Sequence, residues 1–388
     1  MDMKHEIAQR QDTLIALRRD FHQYPELALE ETRTAGIIAE RLRASGLEVR
    51  TGIGQTGVVG VLRGSQPGKT IAIRADIDAL PVQETNDLPF RSQVPGKMHA
   101  CGHDGHAAIA LTVADILAAH QDALRGNVTF LFQPAEERIS GAQLMIADGA
   151  LKNPDVDAVI GLHIASGLPA GQVIVHSGAG LASADSFNIH VRGRGGHGAM
   201  PHMSVDPILV ASEIVVALQS LVSREVSPFE PAVVTVGSFH GGTARNVITD
   251  EVVLEGTFRT FSDEVRTHLA TRISDLAQQV AASMRASATF EIVEGCPPCV
   301  SDEGMTCLVR RAAAETVGAE NTLDRIIASA SDDMALFLNA VPGCYFSLGA
   351  QDSAFEDAPH HSPRFRIDEA GLPIGVEIMV RAALDYLQ

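Results

Sequence analysis

The ten residues HACGHDGHAA, positions 99 to 108, hold three histidines, a cysteine and an aspartate in a chain with only five cysteines. Cys101 and His103 stand two apart on a loop that contains Gly102, so both can turn the same way and offer one thiolate and one imidazole. A borderline-soft divalent cation accepts sulfur, nitrogen and oxygen donors together, and two such ions held close together bind and polarise water better than one. Taken alone, the same pair reads equally as a buried thiol beside a surface histidine. Glu136 and Glu137 follow the apolar run VTFLF and Pro134. If the backbone there is extended, neighbouring side chains point opposite ways, so one carboxylate can face a metal while the other holds an attacking water as general base. Elsewhere such a pair is ordinary solvated surface. His163 ends the run AVIGLH and by itself reads as a core histidine. Asp76 and Asp78, in RADIDALP, stand at another strand end, where a carboxylate can orient a ligating imidazole. HHSP, 360 to 363, lies in a loop before the last helix.

Two motifs point elsewhere and are weaker. CPPC at 296 to 299 is a lone C-x-x-C with no second pair and no helix start after it, which disfavours a zinc or redox role. GRGGHG, Gly193 to Gly198, satisfies G-x-G-x-x-G after a strand. Pro201 and Pro207 follow, however, so no helix begins on the last glycine and no N-terminus is aimed at a pyrophosphate.

The elements that must position these residues fall into two patterns. Ile7, Leu14, Leu17 and Phe21 share one helical face that Pro25 ends, and a second helix runs up to Gly46. Strand-like runs VVGVLRG, TIAIRAD, NVTFLFQPAEE and DAVIGLH follow, with HAAIALTVADILAA as a helix among them. Continuous apolar strands interleaved with helices predict a buried, largely parallel sheet, whose carboxyl-end crevice would gather the polar clusters. Asp104 is placed to cap the HAAIAL helix. From about Ser183 the order becomes strand, helix, two strands, helix and strand, the βαββαβ signature of a small ferredoxin-like unit. Asp206 with Pro207, and Ser262 with Asp263 and Glu264, mark its helix starts, and Val265, Leu269, Ile273, Leu276 and Val280 form an apolar stripe. After about Gly295 the α/β character returns, with a strand at CYFSLG and a closing helix from Gly371. The expected fold class is therefore α/β: a helix-flanked central-sheet domain, residues 1–182 and 295–388, interrupted by a smaller α+β domain, 183–294.

At 388 residues two domains are expected. The net charge of −18 disfavours nucleic acid and anionic membranes as partners. No apolar h-region opens the chain and no run of about 18 apolar residues occurs, so it reads as cytoplasmic. The odd cysteine count at scattered spacings does not form a disulfide framework. Arg259 alternates with Phe258 and Gly256 along a strand. Its planar fork suits a substrate carboxylate, or else a surface cross-strand ion pair.

In order, RADIDALP, HACGHDGH, QPAEE, GLH, GRGGHGAMPH, GGTARNVI and HHSPRF resemble the dinuclear metal-dependent amidohydrolase, aminoacylase and carboxypeptidase family. The resemblance is closest to its hippurate hydrolase and indole-3-acetyl-amino-acid hydrolase branch and covers nearly the whole chain. It implies that Cys101, His103, Glu137, His163 and His361 hold two divalent metal ions, with Glu136 as general base and Asp78 behind the ligands. His361 is preferred to His360 by the HSP match. It implies further that the small domain is a lid and dimerisation domain in a homodimer, and that His197, rather than His202, reaches the partner's site and polarises the scissile carbonyl. Asn246 and Arg259 would hold the substrate's carboxylate. Most relatives carry histidine where this chain has Asp76 and bridge their metals with an aspartate, but the named branch shares the pattern here. The ions would be zinc, manganese, cobalt or nickel. The expected reaction is hydrolysis of the amide of a small-molecule N-acyl amino acid. A dipeptidase or an N-acetyl-diaminopimelate deacetylase would use the same residues, and a non-catalytic metal or ligand binder is the reading from another class.

Overall fold

In the computed structural model, which describes residues 2–325, 329–353 and 358–388, the run from Thr70 to Asp76 is buried at every position. Such a strand needs parallel neighbours and cover on both faces. Arg125–Gln133 and Ala158–Pro169 flank Gln66–Asp76 in parallel, and Gly343–Gln351 continues the parallel set beyond Ala158–Pro169. The full eight-stranded order is Glu48–Ile53, Gly57–Arg63, Arg125–Gln133, Gln66–Asp76, Ala158–Pro169, Gly343–Gln351, Val173–Ile174 and Thr322–Leu323. Its middle is parallel, and antiparallel pairs join it at Gly57–Arg63 and Val173–Ile174. Glu48–Ile53 escapes a reading by apolar runs because none of its residues is fully buried.

Helix His103–Ala119 is buried along most of its length and packs on Met3–Gln23 and Leu372–Leu387. It starts at His103, three residues before the apolar pattern becomes continuous, because Gly102 adopts φ +100, which turns the chain sharply into the helix. Asp104 does not cap it. Its carboxylate instead forms an ion pair with Arg18 at 2.9 Å and accepts from His22 at 2.8 Å, tying the first turn to the N-terminal helix.

A second compact unit runs from Leu181 to Cys299 with a short return segment ending at Ser331, and the first unit comprises the chain before and after it. Its four strands, all antiparallel, lie in the order Ala232–Gly241, Glu251–Thr260, Ala184–Arg192, Ser287–Cys296. Helices Pro207–Ser220 and Asp263–Ser283 cover one face, where Phe187, Ile189, Val191, Ile214, Leu218, Leu269 and Ile273 form the core. Asp206 and Ser262 cap the two helices, accepting from Ile208 and Val265. With its continuation, Pro207–Glu225 is long and apolar enough in composition to cross a membrane. In this unit, however, Val210, Ala211, Ile214, Leu218 and Leu221 turn onto the sheet.

The chain's tightest approach lies beside the glutamate pair. A Cβ on Gly141, the first residue of helix Gly141–Ala147, would stand 1.6 Å from the carbonyl oxygen of Pro134. On the exposed face of helix Thr32–Ala44, a Cβ on Gly36 would meet nothing within 4 Å. Gly141→Ala should therefore lower stability by about 3 kcal/mol through forced backbone displacement, whereas Gly36→Ala should raise it by about 0.5–1 kcal/mol. Urea unfolding midpoints of the two variants check both signs.

Candidate active site

Three of the parallel strands deliver polar residues to one level. Asp76 ends its strand opposite Gln133. His163 lies two residues beyond the Arg74–Gly161 pair, where Ala158–Pro169 has left that neighbour but still pairs with Gly343–Gln351. It is thus within a strand rather than at its end, although it sits at the same edge of the parallel set. The loop before His103 brings Cys101 to this level, with its Sγ 3.5 Å from His163 Nε2. The closing loop brings His361, whose Nε2 is 3.5 Å from Glu137 Oε1. Cys101, His103 and His163 form one group whose donor atoms lie within 4.8 Å of one another. Cys101, Glu137 and His361 form a second, and His103, Glu136 and Glu137 a third.

Hydrogen bonds fix which nitrogen each ring presents. His103 donates through Nδ1 to the Asp78 carbonyl at 2.9 Å, leaving Nε2 toward the group. His163 donates through Nδ1 to the Ile164 carbonyl at 2.7 Å, and its Nε2 faces Cys101. His106 differs, since its Nε2 accepts from the Ile164 amide and its Nδ1 meets Asp76 at 2.5 Å. His360 is also used up: Nε2 accepts from the Ser166 amide, so Nδ1 carries the proton and points it at Cys101 Sγ, 3.7 Å away. Of the adjacent pair, His361 is the ring with nitrogen to spare. It is held at φ +63, a left-handed conformation disfavoured for a side-chain-bearing residue.

The two glutamates separate for a reason other than the one expected. They lie on a 3-10 turn, Glu136–Arg138, entered through Ala135 at φ +51, rather than on extended backbone. The helical rotation between consecutive residues sends Glu136 toward His103 Nε2 at 3.8 Å and toward Asp332 and Asp333. Glu137 goes to Cys101 and His361. Asp78 serves both sides, since its Oδ2 accepts from the Glu137 amide at 3.0 Å while its carbonyl holds His103.

The electrostatics are those of acids and bases crowded out of water. Burial, reinforced by Asp332, raises the Glu136 carboxyl well above its usual range. Burial lifts Glu137 to about 7 and pushes the Cys101 thiol up. Burial, with His106 and His360 nearby, holds His163 well below the ordinary histidine value and therefore neutral. For His103, burial opposes the charge, but Asp76 and Asp78 outweigh it and raise its pKa well above the usual value. His103 Nε2, Asp78 Oδ1 and Glu137 Oε1 are buried without hydrogen-bond partners. Imidazole, thiol and carboxyl groups converging with unpartnered polar atoms are the donor set of a divalent cation site once His103 and the acids give up their protons, and the residues fit one.

A second set was not singled out in the sequence. Arg74, fully buried, donates to Asp76 at 2.6 Å, Gln133 at 2.8 Å, Asp332 at 3.0 Å and Asp333 at 3.1 Å, and Tyr345 donates to Asp332. Its signal was available: an arginine inside the apolar strand TIAIRAD demands buried acidic partners. Asp332 and Asp333 carried no comparable signal, because SDD lies beside no recognisable strand end.

His197, Asn246 and Arg259 lie in the second unit. His197 pairs with Val247 across a two-stranded ladder, and the carbonyl of Asn246 accepts from the Gly198 amide, so these two are brought together. His202 follows on a separate short turn, Pro201–Met203. Arg259 is half-buried, its Nη1 3.4 Å from both the Ser183 carbonyl and Ser331 Oγ. The GRGGHG run is glycine-rich because chains cross closely there: a Cβ on Gly196 would stand 2.1 Å from Ser204 Oγ. No α-helix follows it before Pro207.

The pattern has relatives. The family model described as Peptidase family M20/M25/M40 matches residues 72–385. An N-acetyl-L-cysteine deacetylase from Bacillus subtilis (strain 168) is 42% identical over 359 residues, 92% of this chain and 84% of the relative. An IAA-amino acid hydrolase from Arabidopsis thaliana is 38% identical over 381 residues, 97% of this chain and 86% of the relative. Among solved structures, a dinuclear metal binding peptidase from Bacillus subtilis superposes with a TM-score of 0.86 at 34% identity, covering 98% of this chain and 99% of that one. Motif order, strand order and these matches agree that the chain belongs to peptidase family M20/M25/M40.

Proposed function

We propose that the protein hydrolyses the amide of N-acyl amino acids to a carboxylic acid and a free amino acid, using two divalent cations held by Cys101, His103, Glu137, His163 and His361. The observation that carries this reading is the convergence of those donor atoms in overlapping groups, with His103 Nε2 and Glu137 Oε1 buried and unpartnered, beside a second buried glutamate that the donor set does not need. A simple metal binder has no use for Glu136. The relatives that act on N-acyl amino acids by name support the acyl-amino-acid class over a dipeptide.

When bound, the cations supply Lewis-acid polarisation of the amide carbonyl and acidify water. Glu136 takes a proton from the attacking water and returns it to the amine nitrogen as the carbon–nitrogen bond breaks. His163 and His103 are pre-turned by their Nδ1 bonds, so no tautomer change is required to present Nε2. In this reading His197 polarises the carbonyl, and Arg259 and Asn246 hold the substrate carboxylate and so fix the register of the bond. The second unit is the lid and dimerisation element, and the working assembly is a homodimer. Zinc, manganese, cobalt and nickel are the candidate ions.

Glu136→Gln should keep its bound metal and lose turnover by a factor of about 10²–10⁴. The assay is a panel of N-acetyl, N-benzoyl and indole-acetyl amino acids and dipeptides with each of the four metals in turn; full activity in the variant refutes the assignment. A second outcome follows from protons competing with cations for the same atoms. Glu137, raised to about 7, is charged above that pH and protonated below it, so it opposes binding only on the acid side. The pH dependence of metal affinity should therefore steepen below 7 by up to about tenfold per pH unit, added to the protons that Cys101 and His103 give up on both sides of it. Calorimetry in buffers of different ionisation enthalpy should show about one more proton released per chain at pH 6 than at pH 8.

A further inference from the structure

We propose that Glu31 is a positioning residue for Glu136, acting through the amide of Ala135. Glu31 stands far away in sequence, at the start of helix Thr32–Ala44, and is completely buried. One carboxylate oxygen accepts from the Ala135 amide at 2.9 Å, and the other accepts from Thr56 Oγ1 at 2.5 Å. Its own carbonyl accepts from the Ala35 amide at 3.0 Å, which roots the carboxylate in a helix rather than in a loop.

Ala135 is where the turn needs holding. It is buried at φ +51, a conformation disfavoured for any residue with a Cβ, and it is the last residue before Glu136. Its carbonyl in turn lies 3.3 Å from the amides of both Ser140 and Gly141, closing the far side of the turn. The amide on the other side of Glu136, that of Glu137, goes to Asp78. The general base is thus gripped on both sides by buried carboxylates, Glu31 on the residue before it and Asp78 on the residue after. Release of the Ala135 amide leaves a buried donor without a partner. The backbone then has reason to relax out of the left-handed region, rotating Glu136 away from His103.

This inference rests on the general-base role proposed for Glu136, and the test separates the two. In the metal-loaded full chain, Glu31→Ala should lower kcat about 100-fold, the scale of a misplacement of about 1 Å in a reacting group. KM and bound metal should stay unchanged. Glu31→Gln, whose amide oxygen still accepts from Ala135 and whose amide nitrogen donates to Thr56 Oγ1 in place of the bond the carboxylate accepted, should restore most of the kcat. Hydrogen exchange gives a readout that does not depend on catalysis: amides from Ala135 to Gly141 should lose protection in Glu31→Ala and keep it in Glu31→Gln. Wild type without hydrolase activity but with this exchange pattern refutes the proposed function and upholds the positioning. Unchanged kcat and protection in Glu31→Ala overturns the positioning, as does joint loss of metal and turnover, or a Glu31→Gln variant as impaired as Glu31→Ala. Should Glu31→Ala fail to fold, Glu31→Asp, which withdraws the carboxylate by one methylene, carries the same expectation.

Discussion

Carboxylates taken out of water together must be met by positive charge or by protons, and the large unit meets this demand in two ways. Behind the crevice, Arg74 supplies the charge itself, its guanidinium binding Asp76, Asp332 and Asp333. In front, Glu136, Glu137 and Asp78 face His103, His361 and Cys101, and among the described residues no arginine or lysine forms an ion pair with them. The first set is closed by the protein, and the second is left open toward a ligand. Burial raises the carboxyl and thiol pKa values of that second set: without a cation, the crowded acids draw protons instead.

Rigidity follows from where the donors are rooted. His103 begins a helix buried along most of its length, His163 lies in a strand paired along Gly343–Gln351, and the Glu136 turn is pinned by Glu31, Asp78 and the close approach of Gly141 to Pro134. The N-terminal helix adds a further tie, since His22 and Arg18 hold Asp104, the residue after His103. Elements distant in sequence therefore converge on the backbone of the functional residues rather than on their side chains, which stay available for chemistry.

Much of this was legible in the sequence because it rests on local rules. Period-two and continuous apolar runs marked the central strands, Asp206 and Ser262 marked helix starts, and the βαββαβ order of the small unit followed from alternation alone. The polar clusters expected at strand ends come together in the structure, although His163 lies within its strand. What was not legible depends on backbone conformation or on partners distant in the chain. The Glu136–Glu137 pair was read as extended, because nothing in QPAEE announces that Ala135 will adopt a left-handed conformation. Glu31 carried no signal in the sequence, and only the fold reveals that Glu30 meets Lys97 at the surface while Glu31 is fully buried. Asp104 was read as a cap, but the helix begins before it, at His103, and its carboxylate is engaged by Arg18 and His22. Asp332 and Asp333 acquire meaning only from the arginine they share.

The account's central claim is that the open half of the charge cluster is completed by metal, with Cys101 as a ligand. Titrating cobalt into metal-free protein tests it directly, since a cobalt–thiolate bond adds charge-transfer absorbance in the near ultraviolet that oxygen and nitrogen ligands do not give. The account predicts that uptake saturates at two ions per chain, as in the proposed site, with the band present in the wild type and lost in Cys101→Ser. A folded metal-free protein that takes up no cobalt, or takes it up without the band, would contradict it.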